Sequence, residues 1–102
     1  MRLEHWPQEK LEHELKTIIG KYLDLSQYKL FFFGSRVTGK GDERSDIDVG
    51  IEGPEPVPHR IVSQIQEDLE EKPILYSIDI VDFTGASEKF RHIAKQSVEY
   101  LS

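Results

Sequence analysis

FFFGSRVTGKGDERSDIDVGI, residues 31–51, sets two contrasting patterns on either side of a polar, glycine-rich middle. LFFFG (residues 30–34) is a short aromatic run stopped by glycine, the composition of a buried strand. SRVTGKGDERS follows, with two more glycines and mixed charges, and reads as a loop or as a helical turn and then a loop. DIDVGI (residues 46–51) alternates, which puts Ile47 and Val49 on one face of a strand and Asp46 and Asp48 on the other.

The flanking sequence supplies helices for this pair of strands. Upstream, Leu11, Leu15, Ile18, Ile19, Tyr22 and Leu23 recur at helical spacing. Pro7 suits a first helical position, so the pattern predicts a helix from there to about Leu25. Downstream, EGPEPVP (residues 52–58) has three prolines in seven residues and must be a connection. Ile61, Val62, Ile65 and Leu69 then predict a helix over residues 59–71, broken by Pro73. ILYSIDIVDF (residues 74–83) is rich in β-branched and aromatic residues and is expected to be the longest strand. Phe90, Ile93 and Ala94 predict a last helix, with Ser87 as its cap. Helix, strand, loop, strand, helix, strand, helix is the order of an α/β or α+β domain: a small mixed sheet flanked by helices.

Bulk properties narrow the class. At 102 residues the chain is expected to be one domain, residues 1–102, holding one core with little room for a separate substrate-binding lobe. Its content, 37% hydrophobic and 31% charged, is that of a globular chain and not a disordered one. There are no cysteines, which removes disulfides and thiolate metal sites. No apolar run reaches membrane-spanning length and MRLEHWPQEK lacks the apolar core of a signal peptide, so a cytoplasmic location and no membrane partner are expected. The net charge of −6 argues against direct nucleic-acid binding through phosphates. It leaves a nucleotide substrate open, because carboxylates that hold divalent cations present a positive site to a triphosphate.

Three features carry chemistry. Asp46 and Asp48, two apart on a strand, have side-chain origins roughly 6–7 Å apart on one face. Carboxylates this close resist joint ionisation unless a cation sits between them, although a solvent-facing strand edge can also carry such a pair. Gly34 and Ser35 end an apolar strand, with Arg36 and Gly39 beyond. A glycine lets phosphate approach the backbone, and the Ser35 hydroxyl and Arg36 guanidinium are donors to phosphate oxygens. The alternative is a strand-ending turn with a surface arginine; no GxxxxGK[ST] loop is present. Asp79 lies mid-way along an apolar stretch, where an ionised group is costly unless paired or metal-bound. A solvated face carrying Asp79, Val81 and Phe83 would explain it otherwise. Asp82 competes for the same role but sits near the strand end and on the opposite face. Lys40, Arg44 and Arg91 add charge or are surface residues. His5, His13, His59 and His92 have no metal spacing and are given no role. Trp6 and Pro7 are read as anchors of the first helix, and Phe31, Phe32 and Phe33 as strand core.

Taken together, GSRVTGKGDERSDID closely resembles the signature of the polymerase-β-type nucleotidyltransferase superfamily, in which Gly-Ser ends one strand and Asp-x-Asp begins the next. SIDIVDF looks like the strand of its third carboxylate. The chain is most similar to the minimal nucleotidyltransferases, and the resemblance covers essentially its whole length. It implies the polymerase-β-like nucleotidyltransferase fold and Asp46, Asp48 and Asp79 as catalytic ligands of two Mg²⁺ ions. Gly34, Ser35, Arg36 and, more weakly, Ser45 would hold ATP or another nucleoside triphosphate. Asp79 would be the general base. The resemblance further implies that AMP is transferred to a hydroxyl of a partner and pyrophosphate is released. It points to a helical HEPN-type protein in a toxin–antitoxin module, whose tyrosine is adenylylated and whose ribonuclease activity is silenced. The acceptor surface is expected from such a partner or from a second copy in a homo-oligomer. The competing reading is a non-catalytic antitoxin that neutralises its partner by stoichiometric contact and keeps a vestigial nucleotide site.

Overall fold

The structure is a computed structural model that describes residues 3, 7–34, 37, 46–74 and 76–101. Its elements are α1 (Gln8–Ile19), β1 (Lys29–Phe33), β2 (Ile47–Glu52), α2 (His59–Glu70), β3 (Ile78–Asp82), α3 (Glu88–Ala94) and β4 (Glu99–Tyr100). The strands form one mixed sheet in the order β3-β2-β1-β4. β1 runs antiparallel to β2 and β4, and β2 runs parallel to β3 across the α2 crossover. The expected fold class, a small mixed sheet with helices, is the one observed.

Alternation along the strands splits the sheet into two unequal faces. Leu30 and Phe32, Ile47, Val49 and Ile51, and Ile78 and Ile80 point one way and are all buried. Leu11, Leu15, Ile18 and Ile19 of α1 and Ile65 and Leu69 of α2 close over them to make the main core. A second tie between the helices is polar: the Tyr22 hydroxyl donates to Asp68 at 2.5 Å. The other face carries Phe31, Phe33 and Phe83, a smaller buried cluster packed against Ala94 of α3 and Val98. Their rings meet edge-on, with centroids 5.0 Å apart for Phe31–Phe83 and 4.9 Å for Phe33–Phe83. Phe31 lies across Gly50, its register partner on β2, and a Cβ at Gly50 would overlap that ring.

α3 is held down by charge. Arg91 donates twice to Glu52 Oε2, at 3.1 and 2.8 Å, and Lys95 pairs with Glu52 Oε1. Arg91 thus serves as a clamp within the fold. Ser87 caps the helix as expected, its hydroxyl accepting from the Phe90 N–H at 3.2 Å. Phe90 and Ile93 stay 45% and 57% exposed, so α3 buries little of its own apolar surface.

Three expectations are corrected. α1 stops at Ile19 rather than near Leu25: Gly20 caps it, and Asp24 then accepts from the N–H and hydroxyl of Ser26 in a tight turn. The strand expected over residues 74–83 runs only over Ile78–Asp82 and is shorter than β2. Its upstream part has no ladder to join, because β2 itself begins at Ile47, whose N–H already bonds the Ser77 carbonyl. β4 was not anticipated; two residues pairing at a sheet edge leave no periodic signal. The reading of residues 35–45 as loop or turn lies, apart from Val37, outside the described residues, as do Trp6 and His5. Among the described residues no helix is long and apolar enough to cross a membrane.

Replacing Gly50 by Ala should destabilise the fold by about 1–3 kcal/mol, because a fully buried Phe31 cannot swing clear of the added methyl. Urea unfolding of the two proteins measures this directly, and equal midpoints would contradict the packing described.

Candidate active site

The carboxylates sit on the face of the sheet that α3 covers only in part. Asp48 is on β2, flanked on that strand by buried Ile47 and Val49, and Asp46 immediately precedes the strand. In the parallel ladder Asp48 is in register with Asp79 of β3. Residues in register on neighbouring parallel strands share a face and lie about 4.7–4.9 Å apart in the backbone. The sheet therefore brings Asp79 directly beside Asp48, a juxtaposition that spacing along the chain could not supply.

Electrostatics reports the same closeness. Burial, then the charge of Asp79, then that of Asp46 push the Asp48 carboxyl above the ordinary value. Asp48 is half-buried, whereas Asp46 and Asp79 are exposed. The desolvation cost expected at Asp79 thus falls on Asp48. The face around Asp79 is nevertheless no plain solvated one, since Val81 is half-buried and Phe83 fully buried on it.

Gly34 completes the arrangement from β1. Phe33 pairs with Asp48, and Gly34 follows with φ of 84°, a left-handed conformation that only glycine adopts freely. A Cβ at Gly34 would overlap the Asp48 carboxylate, so the missing side chain is what lets the two approach. The Gly34 carbonyl accepts from the Val37 N–H at 3.1 Å, and Val37 packs on the main core. A cavity of about 310 Å³ opens beside Gly34, lined by Phe33, Gly34, Ile93, Ala94, Gln96 and Ser97. That volume is at the lower end of small-ligand pockets. Ser35, Arg36 and Ser45, together with Lys40 and Arg44, lie outside the described residues.

Other candidates separate from this group. The Asp82 carboxylate accepts from the N–H groups of Val57 at 2.8 Å and Thr84 at 2.9 Å, which fixes the end of β3. His13, His59 and His92 sit on helices and join none of these contacts. Three carboxylates are the hard oxygen donors that suit Mg²⁺, and their mutual repulsion is what a cation would relieve. Among the described residues they do not already close into a metal-holding cluster of three. Donor type, shared face and like charge fit the ion; the final approach of the side chains would come with it.

Gln66 was not singled out by the sequence. It lies on α2 beside buried Ile65, and its side-chain amide bonds the backbone of β3 at Ile78 and Ile80, the two neighbours of Asp79. A polar residue on the inner side of an amphipathic helix is the signal that could have marked it.

Fold and carboxylate geometry together define a nucleotidyltransferase. A family model, "Polymerase beta, Nucleotidyltransferase", matches residues 13–101, and the chain belongs to that family. It is 32% identical, over 82 residues, to the "Probable protein adenylyltransferase MntA" of Haemophilus influenzae, covering 80% of this chain and 70% of that one. Solved structures share the fold at lower identity. One is a toxin–antitoxin with AMP-PNP, with TM-score 0.72 and 18% identity, covering 89% of this chain and 72% of that one. Another is a tri-AMPylated Shewanella oneidensis HEPN toxin in complex with MNT antitoxin, with TM-score 0.68 and 16% identity, covering 92% and 71%.

Because Asp48 holds its proton more tightly folded than unfolded, stability falls as pH rises from the ordinary carboxylate range through its raised folded value. Asp48→Asn should remove that slope and raise the melting temperature at neutral pH in chelator. Thermal melts of both proteins across pH 4–8, the range about the ordinary Asp value, provide the check; a variant that melts lower at every pH would contradict it.

Proposed function

We propose that this chain transfers AMP from ATP to a hydroxyl of a helical HEPN-type partner protein, releasing pyrophosphate, as the catalytic half of a toxin–antitoxin pair. The observation that carries the reading is the in-register pair Asp48–Asp79, with Asp46 alongside and Gly34 against Asp48. The names borne by the MntA relative and by the toxin–antitoxin complexes of the same fold support the substrate and the partner.

In this reading Asp46, Asp48 and Asp79 hold two Mg²⁺ ions. Such a pair supplies charge neutralisation at the attacking and leaving oxygens of an in-line displacement. Asp79, exposed at the sheet edge, is placed to take the proton from the acceptor hydroxyl. The hydroxyl oxygen bonds to the α-phosphorus while the bond to the bridging oxygen of the β-phosphate breaks. Gly34 gives the triphosphate room to approach the backbone, with Ser35, Arg36 and Ser45 as further phosphate donors. The cavity beside Gly34 offers space for the nucleoside end. Residues 1–102 act as one catalytic domain in the cytoplasm and take the acceptor surface from the partner.

The chain, its helical partner, Mg²⁺ and ATP labelled in the α-phosphate should yield a labelled partner, and chelator should abolish the label. Asp46→Asn and Asp48→Asn should each lower the rate by about 100-fold or more. Gly34→Ala, which displaces Asp48, should cost on the order of 100-fold through misplacement alone. Undiminished transfer by Asp48→Asn would sink the mechanism. Neutralisation of the partner without any label transfer, unchanged by loss of the carboxylates, would show stoichiometric binding instead.

A further inference from the structure

β3 is an edge strand, yet its outward backbone groups at the site are paired. The Ser77 carbonyl and the Phe83 N–H bond to β2, at 2.9 Å from Ile47 N–H and 2.8 Å to the Ile51 carbonyl. By alternation Asp79 turns its backbone groups to β2 as well, while Ile78 and Ile80 turn theirs outward. Gln66 meets both: its Nε2 donates to the Ile78 carbonyl at 2.5 Å, and its Oε1 accepts from the Ile80 N–H at 3.2 Å. A primary amide carries the donor and acceptor of a peptide unit. Bonding the carbonyl before and the N–H after one residue is what a further parallel strand would do. Gln66 therefore stands in for a single residue of a missing strand, centred on Asp79.

We propose that Gln66 is a positioning residue for Asp79 in the transfer reaction; this rests on the reading of Asp79 as the third site carboxylate. Asp48 is half-buried on a strand with neighbours on both sides, so packing fixes it. Asp79 is exposed on a strand with one neighbour, and only its backbone can fix where its carboxylate starts. Gln66 supplies the second anchor from a helix that is itself seated by fully buried Ile65 and nearly buried Leu69. At the far end of β3 the Asp82 carboxylate ties the strand to Val57, so the Gln66 bonds are what secure the Asp79 end.

The test compares wild type, Gln66→Met, Gln66→Glu and Asp79→Asn. Met keeps the length and helix preference of Gln but makes neither bond, and Glu keeps an acceptor for the Ile80 N–H without a donor for the Ile78 carbonyl. Three readouts are needed: hydrogen exchange at the Ile80 amide, Mn²⁺ affinity without nucleotide, and kcat and KM for ATP with the partner present. In Gln66→Met the Ile80 amide should exchange faster. Mn²⁺ affinity and kcat should fall about 10–100-fold, with KM for ATP within about twofold of wild type. Gln66→Glu should fall between, and carries the comparison if the Met variant does not fold. Faster Ile80 exchange with unchanged Mn²⁺ affinity and kcat would overturn the proposal and leave Gln66 as an edge seal. Unchanged Ile80 exchange would overturn it too, since the bond itself would then be absent. Full transfer by Asp79→Asn would instead remove the third-carboxylate reading, and with it the role given to Gln66.

Discussion

Asp48 and Asp79 belong to different βα segments, and what sets them side by side is the parallel ladder from Ile47–Ile78 to Ile51–Asp82. A slip of one residue would turn the face of β3 over, sending Asp79 into the core and Ile78 or Ile80 into the site. The register is protected by the opposite face. Ile47, Val49 and Ile51 of β2 and Ile78 and Ile80 of β3 are buried there under α1 and α2. Any shift would expose several of these at once, each worth about 1.5–3 kcal/mol of burial. The apolar face thus fixes the chemistry on the other one, and no contact between the carboxylates themselves is required.

This division explains what the sequence made legible. The alternation in DIDVGI specified both faces of β2, and the buried Ile47, Val49 and Ile51 agree with it. Gly34 was readable as a close-approach residue, although its neighbour proved to be the Asp48 carboxylate. Local patterns also gave α2 to within a residue and the Ser87 cap. What stayed hidden was settled by tertiary partners. Residues 74–77 have strand composition but meet no ladder, so β3 is short. Tyr22 and Leu23 keep helical spacing, yet follow Gly20 in a turn and pack on the core from there. Gln66 has meaning only once β3 is known to lie at the edge. The pairing of Asp79 with Asp48 is likewise a property of register, and no single-strand pattern encodes it.

Two acids on one face of β2 show how the same sheet supports structure and site. Glu52 and Asp48 are four residues apart on one strand, so both side chains leave by the side that α3 partly covers. Burial pushes the Glu52 carboxyl up, but hydrogen bonds and charge from Lys95 and Arg91 outweigh it and hold it below the usual value. Asp48 is pushed up by burial and by Asp79 and Asp46, with no cation named among the causes of its shift. Glu52 is satisfied within the chain and helps hold α3 on the sheet beside the aromatic cluster. Asp48 faces like charge, an arrangement that lowers stability and makes sense where a positive ligand is to be received. The fold's own cations are spent at the Glu52 end of the strand, and the Asp48 end is left with a demand for charge that an external cation can meet.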